Sequence, residues 1–432
     1  MFSPASWNAM QADRPLVIVG AGTAGHAAAI EAARAGLRPT LIDDGPAPPS
    51  SGDRLEVWGG TSALLVAEGP AVLWARGDAS GLVRAGQLIL ATGTIDRPVP
   101  FPGWDLPGVV AVRDLESERR PARRALVAGT GRPILAAARR LVEEGVEVVA
   151  VLDAGDADGW AGEPTHGAGP DLEFLGRAGV SVRSHHTVFA AIGRDGVEGA
   201  TFGPVAPDDW RPLRGRAETV ALDRIVTGFG RLARNELASL AGCRQRFEPG
   251  VGGWVTARDE FLETTVPGIF AVGEGAGVAG PLVAGDEGRI AGITAAERAG
   301  LLGPAEAEAR RAGPRTRLAA IGPFRAALDA AAAPRPGLLE LAVEATCLCR
   351  CEGVTLARVR EAIAGGADDL ASLKLATRLG MGRCQGRGCE APAALAVARA
   401  TGRGAGDVGR INPRPPARPV TLGALARMEG VE

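Results

Sequence analysis

The chain has 432 residues and a formal net charge of −2, enough length for two or three domains with cores of their own and no global basic field to hold nucleic acid or an anionic membrane. Six cysteines are too few for a disulfide scaffold at this length, tyrosine is absent, and Lys374 is the only lysine, which removes a tyrosine acid and most lysine chemistry from consideration. Residues 1–14 hold no basic stretch followed by an apolar one, and no later run is apolar enough to span a bilayer, so a cytoplasmic location without a transmembrane segment is expected.

The run Leu16-Val-Ile-Val-Gly20 reads as a buried strand entering a tight turn, and the alanine-rich stretch 24–35 reads as a helix closed by Gly36. A second apolar run at 39–42 ends in Asp43 and Asp44, completing a β-α-β unit. Gly20-x-Gly22-x-x-Gly25 puts a glycine where each is needed: for the turn, for close approach of a pyrophosphate, and for helix–strand packing. Asp43 falls where a carboxylate accepts ribose hydroxyls, so the unit is expected to bind a nucleotide. A further strand at 87–93 runs into the proline-rich segment 97–103, which reads as a crossover between domains.

The same grammar returns with a strand at 125–129, a helix at 133–144 and a strand at 146–152 ending at Asp153. Here Gly129-Thr-Gly131-Arg-Pro-Ile134 carries isoleucine in place of the third glycine. This unit either holds a second nucleotide at Gly129–Gly131, NAD(P)H or ATP/AMP, or persists as a purely structural element. Later strands are expected at 221–227 and 269–273, then a helix at 284–299, an alanine- and arginine-rich helix at 304–333, and a break at Pro334-Arg-Pro-Gly337. Pro413-Arg-Pro-Pro416 and Pro419 favour an extended tail lying over another surface.

Five of the cysteines crowd between Cys347 and Cys389. Cys349, Cys351, Cys384 and Cys389 form a four-thiolate set, enough for a [2Fe–2S] cluster or a tetrahedral zinc. Neither Cys349-x-Cys351 nor Cys384-x-x-x-x-Cys389 has the Cys-x-x-Cys knuckle common in structural zinc sites, which favours the cluster over zinc. Thr355 and Asp368 are candidate caps for helices at 356–364 and 369–379, Gly365 and Gly380 candidate stops, and a third helix is expected from about Ala391. The cysteines then lie in loops leading to helix N-termini, with Arg350, Arg383 and Arg387 interleaved to offset thiolate charge. Cys347 reads as a neighbour and Cys243 as packed; His26, His166, His185 and His186 build no catalytic pattern.

Several segments together resemble the flavoprotein alpha subunits of heteromeric amino-acid dehydrogenases: those of opine oxidase, of hydrogen cyanide synthase, and of proline or hydroxyproline dehydrogenases. The resemblance rests on the first glycine turn, on Ala91-Thr-Gly93 with Arg97 and Phe101-Pro-Gly-Trp104, and on Leu106-Pro-Gly-Val109. It continues through Gly253-Trp-Val with Arg258-Asp259, Thr265 through Glu274, Glu287-Gly-Arg-Ile-Ala-Gly292, Cys349-Arg-Cys-Glu352, Met381 through Cys389, and Arg414-Pro-Pro with Arg418-Pro419.

The resemblance implies an α/β two-dinucleotide-binding-domain flavoprotein of the glutathione-reductase-like type, with a small helical bacterioferritin-associated-ferredoxin-like (BFD-like) [2Fe–2S] domain. On it, residues 15–115 and 250–303 form the FAD domain, 116–249 the second dinucleotide-type domain, 304–343 a helical linker, 344–400 the cluster domain, and 401–432 a Pro/Arg-rich tail. Gly20, Gly22, Gly25 and Asp43 would hold FAD through its adenosine and pyrophosphate. Thr92, Gly93 and Glu287 join them, Gly273 and Glu274 would meet the ribityl–phosphate region, and a helix after Gly285 would direct its positive end toward the flavin ring. The four cysteines would hold the cluster.

The function implied is that of an electron-transfer component. A substrate-oxidising flavoprotein beta subunit would supply reducing equivalents to FAD and [2Fe–2S], with a further partner in a small ferredoxin-like subunit and an external acceptor at the end of the path. The Asp44–Asp53 connection is shorter than the family's Gly-Gly-Gln loop and helix, and Glu274 replaces an aspartate. Two rivals stay open: a self-sufficient NAD(P)H-dependent flavin reductase, and a non-catalytic nucleotide- and metal-binding scaffold.

Overall fold

A computed structural model describes residues 13–46, 54–157 and 168–427. His166 and most of the Asp44–Asp53 connection lie outside the described residues. The chain forms two compact units, one from residues 1–94, 232–327 and 412–432, the other from 95–231 and 328–411. Among the described residues, no helix is long and apolar enough to cross a membrane.

The first unit is organised by one sheet. Its central strand, Arg14–Val19, pairs in parallel with Pro39–Ile42 on one side and with the end of Ala79–Leu90 on the other. Glu56–Trp58 and Ile269–Ala271 extend the parallel part. Ala79–Leu90 is twelve residues long and serves two pairings, because its first half also closes an antiparallel meander with Ala71–Arg76 and Ser62–Ala67. The sequence reading recovers only the end of this strand, since the alternation in its exposed half is broken by Gly81 and Gly86.

Thr23–Arg34 and Pro281–Arg298 are the helices that cover the sheet beside the first glycine turn. Both are rich in alanine and glycine on their shared face, so their backbones come close. A Cβ on Gly288 would lie 2.1 Å from the Ala24 carbonyl oxygen, and one on Gly292 2.4 Å from that of Ala28. Pro281–Arg298 begins three residues before the expected start, with Gly280 as N-cap and Pro281 at its first position, where a missing N–H costs nothing. Gly285 is therefore inside the helix and not at its end.

In the second unit five parallel strands run in the order Ser181–Ser184, Glu147–Asp153, Arg124–Gly129, Arg224–Gly228, Val109–Ala111. The apolar run at 221–227 divides into Glu218–Ala221, which joins a three-stranded antiparallel sheet, and Arg224–Gly228, which joins the parallel one. The cysteine region packs a short hairpin, Cys347–Cys349 with Val354–Thr355, against helices Leu356–Ala364, Leu370–Thr377 and Glu390–Thr401 around Leu348, Val359, Leu373 and Val397.

Thr355 caps its helix as expected, by accepting from Arg358 N–H. The next cap is Asp369, not Asp368: its carboxylate accepts from Ser372 N–H while Ser372 Oγ takes the Asp369 N–H, a reciprocal capping box that Asp368 is one residue too early to form. Arg378, in the left-handed region at φ 66°, ends that helix ahead of Gly380. The proline-rich tail runs over the first unit's meander, where Ala417 N–H donates to Leu64 O at 2.7 Å and Ser80 Oγ to Ala424 O at 2.7 Å.

Replacing Gly288 with valine drives a side chain into the Ala24 backbone, which cannot move without shifting the glycine turn. Overpacking of this kind costs about 3 kcal/mol; G288V is expected to lower Tm by roughly 5 °C or more by calorimetry, whereas I290V lowers it less.

Candidate functional site

The first glycine turn is made by backbone approach. Gly20, at φ +107°, faces the Ala91 carbonyl so closely that a Cβ there would sit 2.2 Å from its oxygen, and a Cβ on Gly25 would sit 1.8 Å from Gly20 O. Gly22 differs, because nothing lies within 4 Å of where its Cβ would be. The turn is thus closed toward the protein at Gly20 and Gly25 and open outward at Gly22. Gly22 is also the N-cap of Thr23–Arg34, and no side chain caps that helix. First-turn N–H groups and the positive end of the dipole are left for an anion, the arrangement a pyrophosphate needs.

Asp43 ends the second strand half-exposed. Its Oδ2 accepts from Ala21 N–H at 2.6 Å and its Oδ1 from Gly45 N–H at 2.8 Å, so the carboxylate sits directly on the glycine turn. Asp44 is gripped from outside by Arg418 at 3.2 Å and Arg234 at 3.8 Å.

Thr92 and Gly93 follow the strand that neighbours the central one. Thr92 Oγ1 donates to Arg234 O, Arg234 N–H donates to Gly93 O at 3.0 Å, and the Gly93 backbone at φ +72° has open space where a Cβ would go. Gly273 and Glu274 pack beside them: Thr94 Oγ1 donates to Glu274 Oε2 at 3.3 Å, and a Cβ on Gly275 would meet Thr92 Oγ1 at 2.6 Å. Gly20, Gly22, Asp43, Thr92, Gly93, Gly273 and Glu274 therefore follow the C-terminal ends of parallel strands of the same sheet, with Gly25 in the first turn of the helix after Gly22. The two unblocked glycines, Gly22 and Gly93, mark a cradle with the dimensions of backbone contact, which fits a dinucleotide.

Glu287 reaches this cradle indirectly. Both its oxygens are engaged, Oε1 by Arg258 Nη2 at 2.6 Å and Oε2 by Arg258 Nη1 at 2.8 Å and Gly273 N–H at 2.7 Å. It holds the Gly273 turn in place with three hydrogen bonds. Arg258, legible in the sequence only as part of the Arg258-Asp259 motif, is the partner that engages this carboxylate.

In the second unit the corresponding acid, Asp153, is fully buried, accepting from Gly155 N–H at 2.8 Å and Gly131 N–H at 3.2 Å. Ile134 is also fully buried, its Cγ2 within 2.8 Å of where a Gly129 Cβ would stand. Arg132 leans toward Asp171, 4.0 Å away.

The four cysteines come together from two separate stretches of the chain. They form two thiol pairs: Cys349 with Cys389, both buried, and Cys351 with Cys384, exposed and half-exposed. None is in a disulfide. A hydrogen bond from Cys389 pulls the Cys349 thiol down to about 6, while the same contact, with burial, pushes Cys389 up. Burial raises Cys351, opposed by a hydrogen bond from the Cys384 backbone and reinforced by the Cys384 side chain. Among the described residues no three His, Cys, Asp or Glu side chains converge on a single metal position. Donors closed in twos suit a binuclear centre with two thiolates per metal better than one tetrahedral ion. Cys347 stands outside both pairs, and Cys243 is buried with its Sγ donating to Thr264 Oγ1.

Three segments of the chain match known protein families. The pyridine nucleotide-disulphide oxidoreductase family matches residues 72–300, the FAD binding domain family residues 16–55, and the sarcosine oxidase A3 domain family residues 346–428. Hydrogen cyanide synthase subunit HcnB of Pseudomonas protegens is 31% identical, over 95% of this chain and 97% of that protein. An opine oxidase subunit of Agrobacterium tumefaciens is 29% identical, over 96% and 91%. In fold, the chain is similar to L-proline dehydrogenase from P. horikoshii, with a TM-score of 0.69 at 22% identity, covering 96% of this chain and 79% of that one. The chain therefore belongs to the pyridine nucleotide-disulphide oxidoreductase family of FAD-dependent oxidoreductases, among relatives that include HcnB and the opine oxidase subunit.

Proposed function

We propose that this chain is the electron-relaying subunit of a heteromeric FAD-dependent amine or amino-acid dehydrogenase, with FAD in the first unit and a [2Fe–2S] cluster on Cys349, Cys351, Cys384 and Cys389. The observation that carries the reading is the convergence of four free cysteines as two pairs, inside the segment that matches the sarcosine oxidase A3 domain, in a chain whose N-terminal segment matches an FAD-binding domain. FAD supplies two-electron chemistry when bound and the cluster one-electron chemistry. The relatives' names call them subunits of hydrogen cyanide synthase and opine oxidase, which supports a substrate-oxidising flavoprotein partner. In this reading amine recognition belongs to that partner.

We assign FAD to the first unit and the cluster to residues 344–400; the boundary expected at residue 115 lies instead at 94, because Val109–Ala111 pairs with Arg224–Gly228 in the sheet of the second, dinucleotide-type unit, and residues 232–249 belong to the first. The chain's own residues then have distinct tasks. The Gly22 turn and the uncapped start of Thr23–Arg34 bind pyrophosphate, Asp43 takes the ribose, and Thr92, Gly93, Gly273 and Glu274 line the path toward the flavin. Glu287 and Arg258 fix the Gly273 turn. Cys349 and Cys389 hold the buried side of the cluster, and Cys351 and Cys384 the side nearer solvent. The second unit serves as structure in this reading, because its ribose acid is sealed and Ile134 fills the space a third glycine would leave.

Anaerobically purified protein is expected to show flavin absorption together with a broad iron–sulfur envelope and two irons per cluster. Simultaneous Cys→Ser replacement at the four positions should remove the iron and leave the flavin; iron retained in that variant would overturn the assignment.

NADH is expected to leave the flavin of the isolated chain oxidised, while coexpression with the substrate-oxidising partner makes it reducible by an amine or amino acid. Rapid bleaching of the flavin band by NADH would instead establish a self-sufficient reductase.

A further inference from the structure

The Phe101-Pro-Gly-Trp104 turn lies within the second unit and has no task in the reading above. It is firmly planted. Phe101 is buried, Ala191 N–H donates to Pro102 O at 2.8 Å, and Gly103 at φ +75° comes so close to the strand His186–Ile192 that a Cβ would stand 2.5 Å from Ala191 O. The turn delivers Trp104, 7% exposed, to the cysteine loop. Its indole N–H donates to Cys347 O at 2.6 Å. The Arg350 guanidinium lies over the ring, 4.4 Å from its centroid.

These two contacts act on the same segment. Cys347 begins the hairpin strand that ends at Cys349, and Arg350 is the residue between Cys349 and Cys351. An indole N–H in a dry site needs an acceptor, and here the acceptor is the backbone two residues ahead of the first thiol. The indole face also attracts a cation whose residue is otherwise exposed to water. Trp104 thus anchors the strand entering the cysteine loop and restrains the cation carried between Cys349 and Cys351 in the chain.

We propose that Trp104 is a positioning residue for the metal loop, holding Arg350 beside the Cys349 and Cys351 thiolates so that its charge raises the reduction potential of the cluster they hold. This inference rests on the iron–sulfur reading above. A one-electron reduction adds one negative charge to the cluster, and a fixed cation nearby stabilises that form more than the oxidised one. A unit charge about 8 Å away, at an effective dielectric of about 30, corresponds to about a tenfold change in the reduced-to-oxidised ratio.

The test is a potentiometric titration of the full chain, following the reduced cluster by electron paramagnetic resonance, with iron per chain measured in parallel. At fixed potential, Arg350→Gln is expected to lower the reduced-to-oxidised ratio about tenfold, equivalent to about 59 mV for one electron. Arg350→Lys should recover most of the loss. Trp104→Phe, which keeps an aromatic face and removes the N–H, should lose part of it. Trp104→Leu should lose as much as Arg350→Gln, and the double variant no more than either. Arg350 is exposed, so its variants keep the test decisive even where a Trp104 variant fails to fold. A clustered wild type whose Arg350→Gln and Trp104→Phe variants keep its potential would overturn this inference alone. A wild type without iron would overturn the cluster reading and this inference with it.

Discussion

The glycine turn exists because no Cβ intervenes where the backbones meet. Gly20 against Ala91, Gly25 against Gly20, and Gly288 against Ala24 are backbone-to-backbone approaches that any side chain would push apart. They connect the central strand, the first helix and the late helix Pro281–Arg298 into one body. That body holds Asp43 against Ala21 N–H and leaves Gly22 facing outward. The open face of the cradle is a consequence of the closed contacts behind it, and a change at Gly288, far along the chain, is felt at Gly22.

The Arg258–Glu287 ion pair completes that body on its other side. Removing both charges from water is costly, and a buried pair is stable only when its geometry is close and its remaining lone pairs are used. Here the pairing is bidentate and the extra acceptor capacity is taken by Gly273 N–H. Arg258 Nη1 also reaches the Ala271 carbonyl at 2.9 Å, so the pair stitches the last strand's exit to the middle of Pro281–Arg298. The Gly273–Glu274 turn is consequently held from behind by charge and from beneath by Ala24.

The parts of this arrangement legible in the sequence are those set by local chemistry. The glycine spacing, the acid at the end of the second strand, and the helix limits around 24–35 and 356–364 follow from turn geometry, apolar period and capping. The Asp369 box is also locally encoded, because Ser372 three residues on discriminates it from Asp368. What is not legible depends on partners distant in sequence. The bidentate pairing of Glu287 with Arg258 has no signal in the sequence, and Trp104 looks like part of a crossover until its indole is found on Cys347. The meander at 62–90 escapes for a different reason: one strand there belongs to two pairings, and no single period describes it.

The two dinucleotide-type units differ at few positions, and in the proposed reading those differences separate a ligand cradle from a structural copy. Both end their second strand in an aspartate that accepts from a turn N–H and from the N–H two residues on. In the first unit that aspartate is half-exposed and the third glycine allows the helix to settle against the turn. In the second, Ile134 puts a branched side chain at the crossing of Gly129 and Gly228, and Asp153 is sealed. A sealed carboxylate satisfied by its own backbone has two fixed N–H donors to lose and no water to displace, so opening it to a ribose would cost the hydrogen bonds that hold its turn. In the first unit the same carboxylate already stands partly in water, and a ribose replaces solvent without dismantling the fold.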